Sequence, residues 1–234
     1  MPAEGAECAA VAWLQGTTHA EYEDAFALLV RSTPRVAGAG RGEVLAVFDG
    51  VTTTPMGRQA AQEMVRQLER FFLEPDRHPA NEDGLRTLLA HANDLVSAWQ
   101  APPQVAGACA GTVVWVNGPL AKVFHAGDTG AVLLRGSAAE PLVESGARGA
   151  PLRHFFGKGP LLCMAEATVA LDEGDLLMLY SDGLTKTFEP AEAGRRAIAL
   201  LAGDADLRSA AEALAGEARR CGSQDDITVA LWAA

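Results

Sequence analysis

The chain predicts an α+β fold, a β-sandwich of two mostly antiparallel sheets flanked by helix pairs. Strand-like segments in its middle are joined by a tight hairpin signal. Two long amphipathic helices need a sheet or each other to cover their apolar stripes. The regular strand–helix alternation of a doubly wound parallel sheet is absent.

The elements follow in order. Residues 1–10 read as a short loose N-terminus. An apolar run, Ala25 to Val30, begins at Glu23-Asp24, and a loop rich in Pro and Gly follows (Pro34, Gly38, Gly40, Gly42). Val44 to Phe48 is apolar throughout and predicts a buried strand ended by Asp49-Gly50. From Gly57 to Phe72 apolar residues recur at three and four, which predicts a helix broken by Pro75 and Pro79. Asn81 can cap the next helix, whose stripe is Leu85, Leu88, Leu89, Ala92, Leu95, Val96 and Trp99, with Pro102-Pro103 as its stop. Thr112–Val116 and Ala121–His125 flank Asn117-Gly118-Pro119 and predict a hairpin. Gly130–Arg135 is the next strand, and the stretch from Ser137 to Pro160 carries no clear period. Leu176–Tyr180 is a second wholly apolar strand, closed by Ser181-Asp182-Gly183. Helices near 191–201 and 205–220 and a last strand over Ile227–Trp232 complete the order. No repeat, low-complexity segment or internal boundary appears, so residues 1–234 are expected to form one domain.

Composition narrows the function. With 19 Lys and Arg against 30 Asp and Glu, the formal net charge is −11, which argues against nucleic-acid binding. Apolar residues make up 49% of the 234, the balance of a folded protein. No apolar run approaches the roughly 20 residues needed to cross a bilayer. The acidic start, Met1 to Glu7, lacks the basic and apolar parts of a secretory signal, so a cytoplasmic protein without membrane contact is expected. Cys8, Cys109, Cys163 and Cys221 form no CxxC pair and read as buried free thiols.

Chemistry concentrates in the carboxylates at strand ends. Asp49 and Asp182 each follow a buried strand, Asp225-Asp226 precedes another, and Asp24 starts a fourth apolar segment. One Asp-Gly alone is usually a turn. If Asp49, Asp182 and Asp225 share a sheet edge, however, three carboxylates converge and resist ionisation. Hard divalent cations relieve that cost, and two of them can activate a water for attack on phosphorus. Other phosphate chemistries fail on the text. There is no GxxxxGK[ST] loop, no GxSxG elbow, no CxxxxxR loop, and Val51 stands where an aspartyl-phosphate enzyme would carry a second Asp.

Glu23-Asp24-Ala25, Val47-Phe48-Asp49-Gly50, Ala126-Gly127-Asp128-Thr129, Tyr180-Ser181-Asp182-Gly183-Leu184 and Gln224-Asp225-Asp226-Ile227-Thr228-Val229 together resemble the type 2C (PPM) metal-dependent protein phosphatases. Each motif is weak alone, but five in order, from about Glu23 to Trp232, are specific. The resemblance implies two Mn²⁺ or Mg²⁺ ions. Asp49 would bridge them and the Gly50 carbonyl would ligate. Asp182 and Asp225 would hold the second ion, and Asp24 would bind through water. Asp128 would support its turn. The implied reaction is hydrolysis of phosphoserine or phosphothreonine in a phosphorylated protein, by metal-activated water acting through Asp49 and Asp182 and without a covalent intermediate.

Four departures qualify it. Val51-Thr52-Thr53-Thr54 replaces the glycines or histidine that follow Asp-Gly in the family, leaving no residue assigned as general acid. His19 stands where the family carries a phosphate-binding Arg; it reads either as a weaker, pH-dependent phosphate contact or as a solvated loop histidine. Ala108 falls where many bacterial members hold an Asp for a third metal, so that ion is not expected. The flap-like region 137–160 is short. Two functions stay open: an active phosphatase, or a pseudophosphatase that keeps the fold and binds a phosphoprotein or signalling partner.

Overall fold

The computed structural model describes residues 7–99, 106–144, 151–159 and 162–234. In chain order the elements are β1 (Ala9–Leu14), β2 (Ala25–Leu29), α1 (Pro34–Ala37), β3 (Glu43–Gly50), α2 (Gly57–Leu73), α3 (Glu82–Ser97), β4 (Cys109–Asn117), β5 (Leu120–Ala126), β6 (Gly130–Arg135) and β7 (Ala138–Pro141). There follow β8 (Ala165–Ala170), β9 (Leu176–Tyr180), α4 (Asp182–Thr185), α5 (Pro190–Ala202), α6 (Leu207–Arg220) and β10 (Ile227–Ala233). They build two five-stranded sheets, ordered β1-β10-β9-β6-β7 and β2-β3-β4-β5-β8, with antiparallel neighbours throughout.

Alternation along the strands sorts side chains into layers. Leu45, Val47, Val114 and Val123 of one sheet meet Leu133, Leu177, Leu179 and Ala230 of the other in a buried layer between them. The opposite face of β3 and β4, with Val44, Ala46, Phe48, Val113 and Trp115, is covered by Met64, Leu68 and Phe71 of α2 and Leu85, Leu88 and Leu89 of α3. On the other side, Val132, Met178, Tyr180, Val229 and Leu231 are covered by Ala193 and Ala197 of α5 and by Ala210, Ala211 and Leu214 of α6. The result is the α-β-β-α layering expected of the helix stripes. No helix among the described residues is long and apolar enough to cross a membrane.

Three segments differ from the sequence expectation. Ala9 and Ala10, placed in a loose N-terminus, are buried in β1 and pair with Trp232 and Leu231. The stretch from 137 contains β7, and Phe156 bridges to Cys109, the first residue of β4. Strand β8, Ala-Glu-Ala-Thr-Val-Ala, lies at a sheet edge with most side chains open to solvent, so it lacks the apolar pattern that marks a buried strand. Of the four cysteines expected to be buried, Cys109 is buried, Cys8 is half-buried, and Cys163 and Cys221 are exposed because they lie in loops outside the apolar layers. The expected stop at Pro102-Pro103, residues 1–6, and positions 145–150 and 160 of the flap-like region lie outside the described residues.

The helix start at Asn81 is as expected, its side chain accepting from the Gly84 N–H at 2.8 Å. Strand β3 runs through Asp49 and Gly50, which pair with Ala110 and Cys109. Asp49 is therefore held by a sheet ladder and not by a free turn.

Candidate functional site

Four loops bring carboxylates to one end of the sandwich. Gly50 has no room for a side chain. An added Cβ would lie 2.6 Å from the Gly57 carbonyl carbon and 2.7 Å from the Glu23 carbonyl oxygen. Its absence lets the start of α2 and the 23–24 segment close over Asp49. Gly127, at φ 117°, makes the turn that carries Asp128, and a Cβ there would lie 2.3 Å from that of Ala110. Beyond β9, Ser181 is clipped to β10: its N–H donates to the Thr228 carbonyl at 3.1 Å and its Oγ accepts from the Thr228 N–H at 2.9 Å. Gly183 then passes so close to Asp226 that a Cβ would lie 1.9 Å from its carbonyl oxygen.

One carboxylate oxygen from each of Asp49, Asp128 and Asp182 lies within 4.8 Å of the others. Burial and the neighbouring carboxylates Asp24, Asp182 and Asp128 hold the Asp49 carboxyl well above the usual range. Burial and the Asp182 charge push Asp128 up to about 6, and burial raises Asp182 despite its contact with Lys186. Asp24 is buried beside them and pushed up to about 8, chiefly by burial. Its Oδ2 accepts from Thr228 Oγ1 at 2.5 Å, and Thr228 Oγ1 in turn lies 2.5 Å from the Tyr22 hydroxyl. Asp24 Oδ1 and Asp182 Oδ1 are buried without a hydrogen-bond partner. Buried carboxylates with unused oxygens and mutually raised pKa values fit a hard divalent cation.

Asp225 joins this end of the molecule from another direction. Arg219 holds its loop, donating to the carbonyls of Ser223 at 2.6 Å, Gln15 at 2.7 Å and Asp225 at 2.9 Å. Lys186 places its ammonium between Asp182 Oδ2, at 2.8 Å, and Asp225 Oδ2.

His19 is not a solvated loop histidine. Its Nδ1 lies 3.2 Å from Asp226 Oδ2, and its Nε2 lies 3.5 Å from Asp225 Oδ1. Burial lowers its pKa, but the Asp226 hydrogen bond and the charges of Asp225, Asp226 and Glu23 outweigh this and raise it. Asp226 is buried and anchors the segment before β2, accepting from the N–H groups of Gly16 at 2.5 Å and Glu23 at 2.6 Å. The Val51–Thr54 stretch is a compact turn, with Thr54 Oγ1 donating to the Val51 carbonyl at 2.8 Å. Thr52 ties it to Glu23 Oε2 at 2.7 Å. Ala108 is buried, and its carbonyl accepts from the Val51 N–H at 2.9 Å.

The sequence reading did not single out Lys186, Tyr22 or Thr228. For Lys186 a signal existed, since it follows Asp182 at i+4 in a short helical turn. Tyr22 and Thr228 meet across 206 positions, and no local pattern could pair them. Asp128, expected to support its turn, also brings an oxygen into the carboxylate group.

Over residues 49–233 the sequence matches the family model of stage II sporulation protein E, SpoIIE. The chain belongs to the SpoIIE family. No curated protein matches it. Its fold is that of the type 2C serine/threonine phosphatases, as the five motifs led us to expect. PppA of Pseudomonas aeruginosa, described as a key regulatory component of T6SS, superposes with a TM-score of 0.77 at 23% identity, over 95% of each chain. The S. agalactiae serine/threonine phosphatase gives 0.78 at 17% identity, over 97% of this chain and 99% of its own. The catalytic domain of the serine threonine protein phosphatase PstP, in complex with two manganese ions, gives 0.76 at 18% over 96% of each.

Proposed function

We propose that the chain is an active metal-dependent phosphoprotein phosphatase that hydrolyses phosphoserine and phosphothreonine. The observation that carries this reading is the convergence of half-buried Asp49, Asp128 and Asp182, one oxygen of each within 4.8 Å of the others, with the Asp49 carboxyl held well above its usual range. In this reading Asp49 and the Gly50 carbonyl, with Asp182 and Asp225, would hold two Mn²⁺ or Mg²⁺ ions, and Asp24 would bind through water. Bound divalent cations lower the pKa of a water and offset the charge of the phosphate it attacks.

The chain's own residues position that chemistry. The Tyr22–Thr228–Asp24 hydrogen bonds fix one carboxylate oxygen of Asp24 and leave the other unused. Phe48 and Phe156, packed edge to face at 5.9 Å behind Asp49, keep bulk water off the inner side. His19 lies against Asp225 and Asp226, and it could contact phosphate only by turning from them. The substrate is a phosphorylated protein, the product of a Ser/Thr kinase reaction, met in the cytoplasm.

The test is hydrolysis of a small phosphate monoester with added Mn²⁺, with chelator, and with Asp49→Asn. Turnover that needs Mn²⁺ and falls about a hundred- to a thousandfold in the variant is expected, since Asp49 would hold the cation that stabilises the developing charge, and losing one such electrostatic contribution typically costs that much. His19 in place of a phosphate-binding Arg, held by Asp225 and Asp226, and the Val51–Thr54 turn without the family's glycines or histidine motivate a second reading, a partner-binding pseudophosphatase. Mn²⁺-dependent thermal stabilisation without turnover would select it.

A further inference from the structure

The carboxylates at this end of the sandwich are not equally free to take up a cation. The oxygens of Asp49, Asp128 and Asp182 that approach one another form one group. The Asp182–Asp225 pair is different, because the Lys186 ammonium already bridges the Oδ2 atoms of both. Among the described residues Lys186 is the side chain that bridges both Oδ2 atoms; His19 Nε2, 3.5 Å from Asp225 Oδ1, reaches only that carboxylate's other oxygen. Arg58 is paired with Glu21, and Arg219 spends its guanidinium on three backbone carbonyls. Lys186 is anchored at its backbone, whose N–H donates to the Asp182 carbonyl at 2.8 Å. Its side chain is 43% exposed, against 19% for Asp182 and 23% for Asp225, so the ammonium can swing into water while the carboxylates stay.

Building on the metal-centre reading above, we infer that Lys186 is a tethered cation that holds the Asp182–Asp225 pair until a divalent ion displaces it, so that the two metal positions load unequally. The physical reason is competition for the same oxygens. An ammonium between two carboxylates leaves a net charge of −1 where −2 would otherwise attract the ion, and it occupies the lone pairs the ion needs. The position built on Asp49 carries no such occupant and loads first. Lys186 also offsets carboxylate repulsion when metal is scarce, which protects the empty fold.

Chelator-stripped wild type, Lys186→Met and Lys186→Arg would be titrated with Mn²⁺ by calorimetry, and their unfolding midpoints measured in chelator. Wild type is expected to show one tight and one weaker class of Mn²⁺ site. In Lys186→Met the weaker class should tighten about tenfold or more, because one charge fewer opposes the ion at close range, while the tight class stays within about twofold. Its midpoint in chelator should fall. Lys186→Arg keeps the charge and should retain both the weak class and the midpoint, a control that also covers poor folding of the Met variant. An unchanged or weakened second class in Lys186→Met, or a midpoint in chelator that rises, would overturn the inference. Mn²⁺ binding by none of the three would instead sink the metal-centre reading. A midpoint that still fell in Lys186→Met would then identify a permanent structural counter-ion, and displacement would be refuted separately.

Discussion

His125 shows how one side chain can matter beside a site without joining it. It is buried at the end of β5, with Thr112 Oγ1 2.9 Å from its Nδ1 and Thr129 Oγ1 2.7 Å from that hydroxyl. Burial, partly offset by hydrogen bonds with the backbone at Gly127 and Glu144, pushes its pKa down to about 4 from an ordinary 6.5. The folded state then binds fewer protons than the unfolded one below pH 6.5, so stability is lost as pH falls from there towards 4. Between pH 7.5 and pH 5 this costs about 2 kcal/mol. Denaturant unfolding of wild type and His125→Gln at both pH values should show that difference in slope. Equal slopes would mean that the imidazole is not held neutral. His19 has the opposite sign, since its pKa is raised, and comparing the two proteins cancels its contribution. Of the candidate residues, Asp24, Asp49, Asp182 and Asp225 were legible because each abuts an apolar strand. Lys186 escaped notice because an i+4 pair looks like an ordinary surface contact.

At the level of elements, the site depends on close backbone approach where β9 gives way to α4. Gly183 has no space for a methyl group against the Asp226 carbonyl, and its own carbonyl accepts from Ser223 Oγ at 2.7 Å. Gly183→Ala must push β10 and the Asp225 loop aside, and is expected to cost about 2–3 kcal/mol in denaturant unfolding. Gly216 in α6 meets nothing within 4 Å, so Gly216→Ala should instead stabilise by up to about 1 kcal/mol. Similar losses from both substitutions would contradict the packing described. The sequence marked both strand ends well, because uninterrupted apolar runs stop at Asp-Gly. It did not mark β1, β7 or β8. β7 and β8 lie at sheet edges with most side chains open to solvent, so the apolar pattern weakens there; β1, Ala-Ala-Val-Ala-Trp-Leu, is apolar throughout but begins inside the stretch read as a loose terminus.

Across the whole molecule, the layer between the sheets sets the spacing of the loops that carry the carboxylates. Leu179 lies fully buried in that layer, three residues before Asp182. Leu179→Ala should lower unfolding stability by about 2–5 kcal/mol, as cavities at such sites do. A loss well under about 1 kcal/mol would mean that the sheets collapse onto one another and the layer is less tightly packed than it stands here. Excess negative charge over the chain does not oppose this architecture, since the burial that drives it is apolar on both sides of each sheet.

The sequence by itself determined the helix stripes, the two central strands, the order of layers and the four aspartates at strand ends. All of these are local patterns of period or adjacency. Only the tertiary structure decided that Asp128 joins Asp49 and Asp182, that His19 is wrapped by Asp225 and Asp226, and that Lys186 sits between Asp182 and Asp225. Those juxtapositions arise from register between strands distant in the chain and from glycines that let backbones touch. Neither leaves a periodic mark in the sequence.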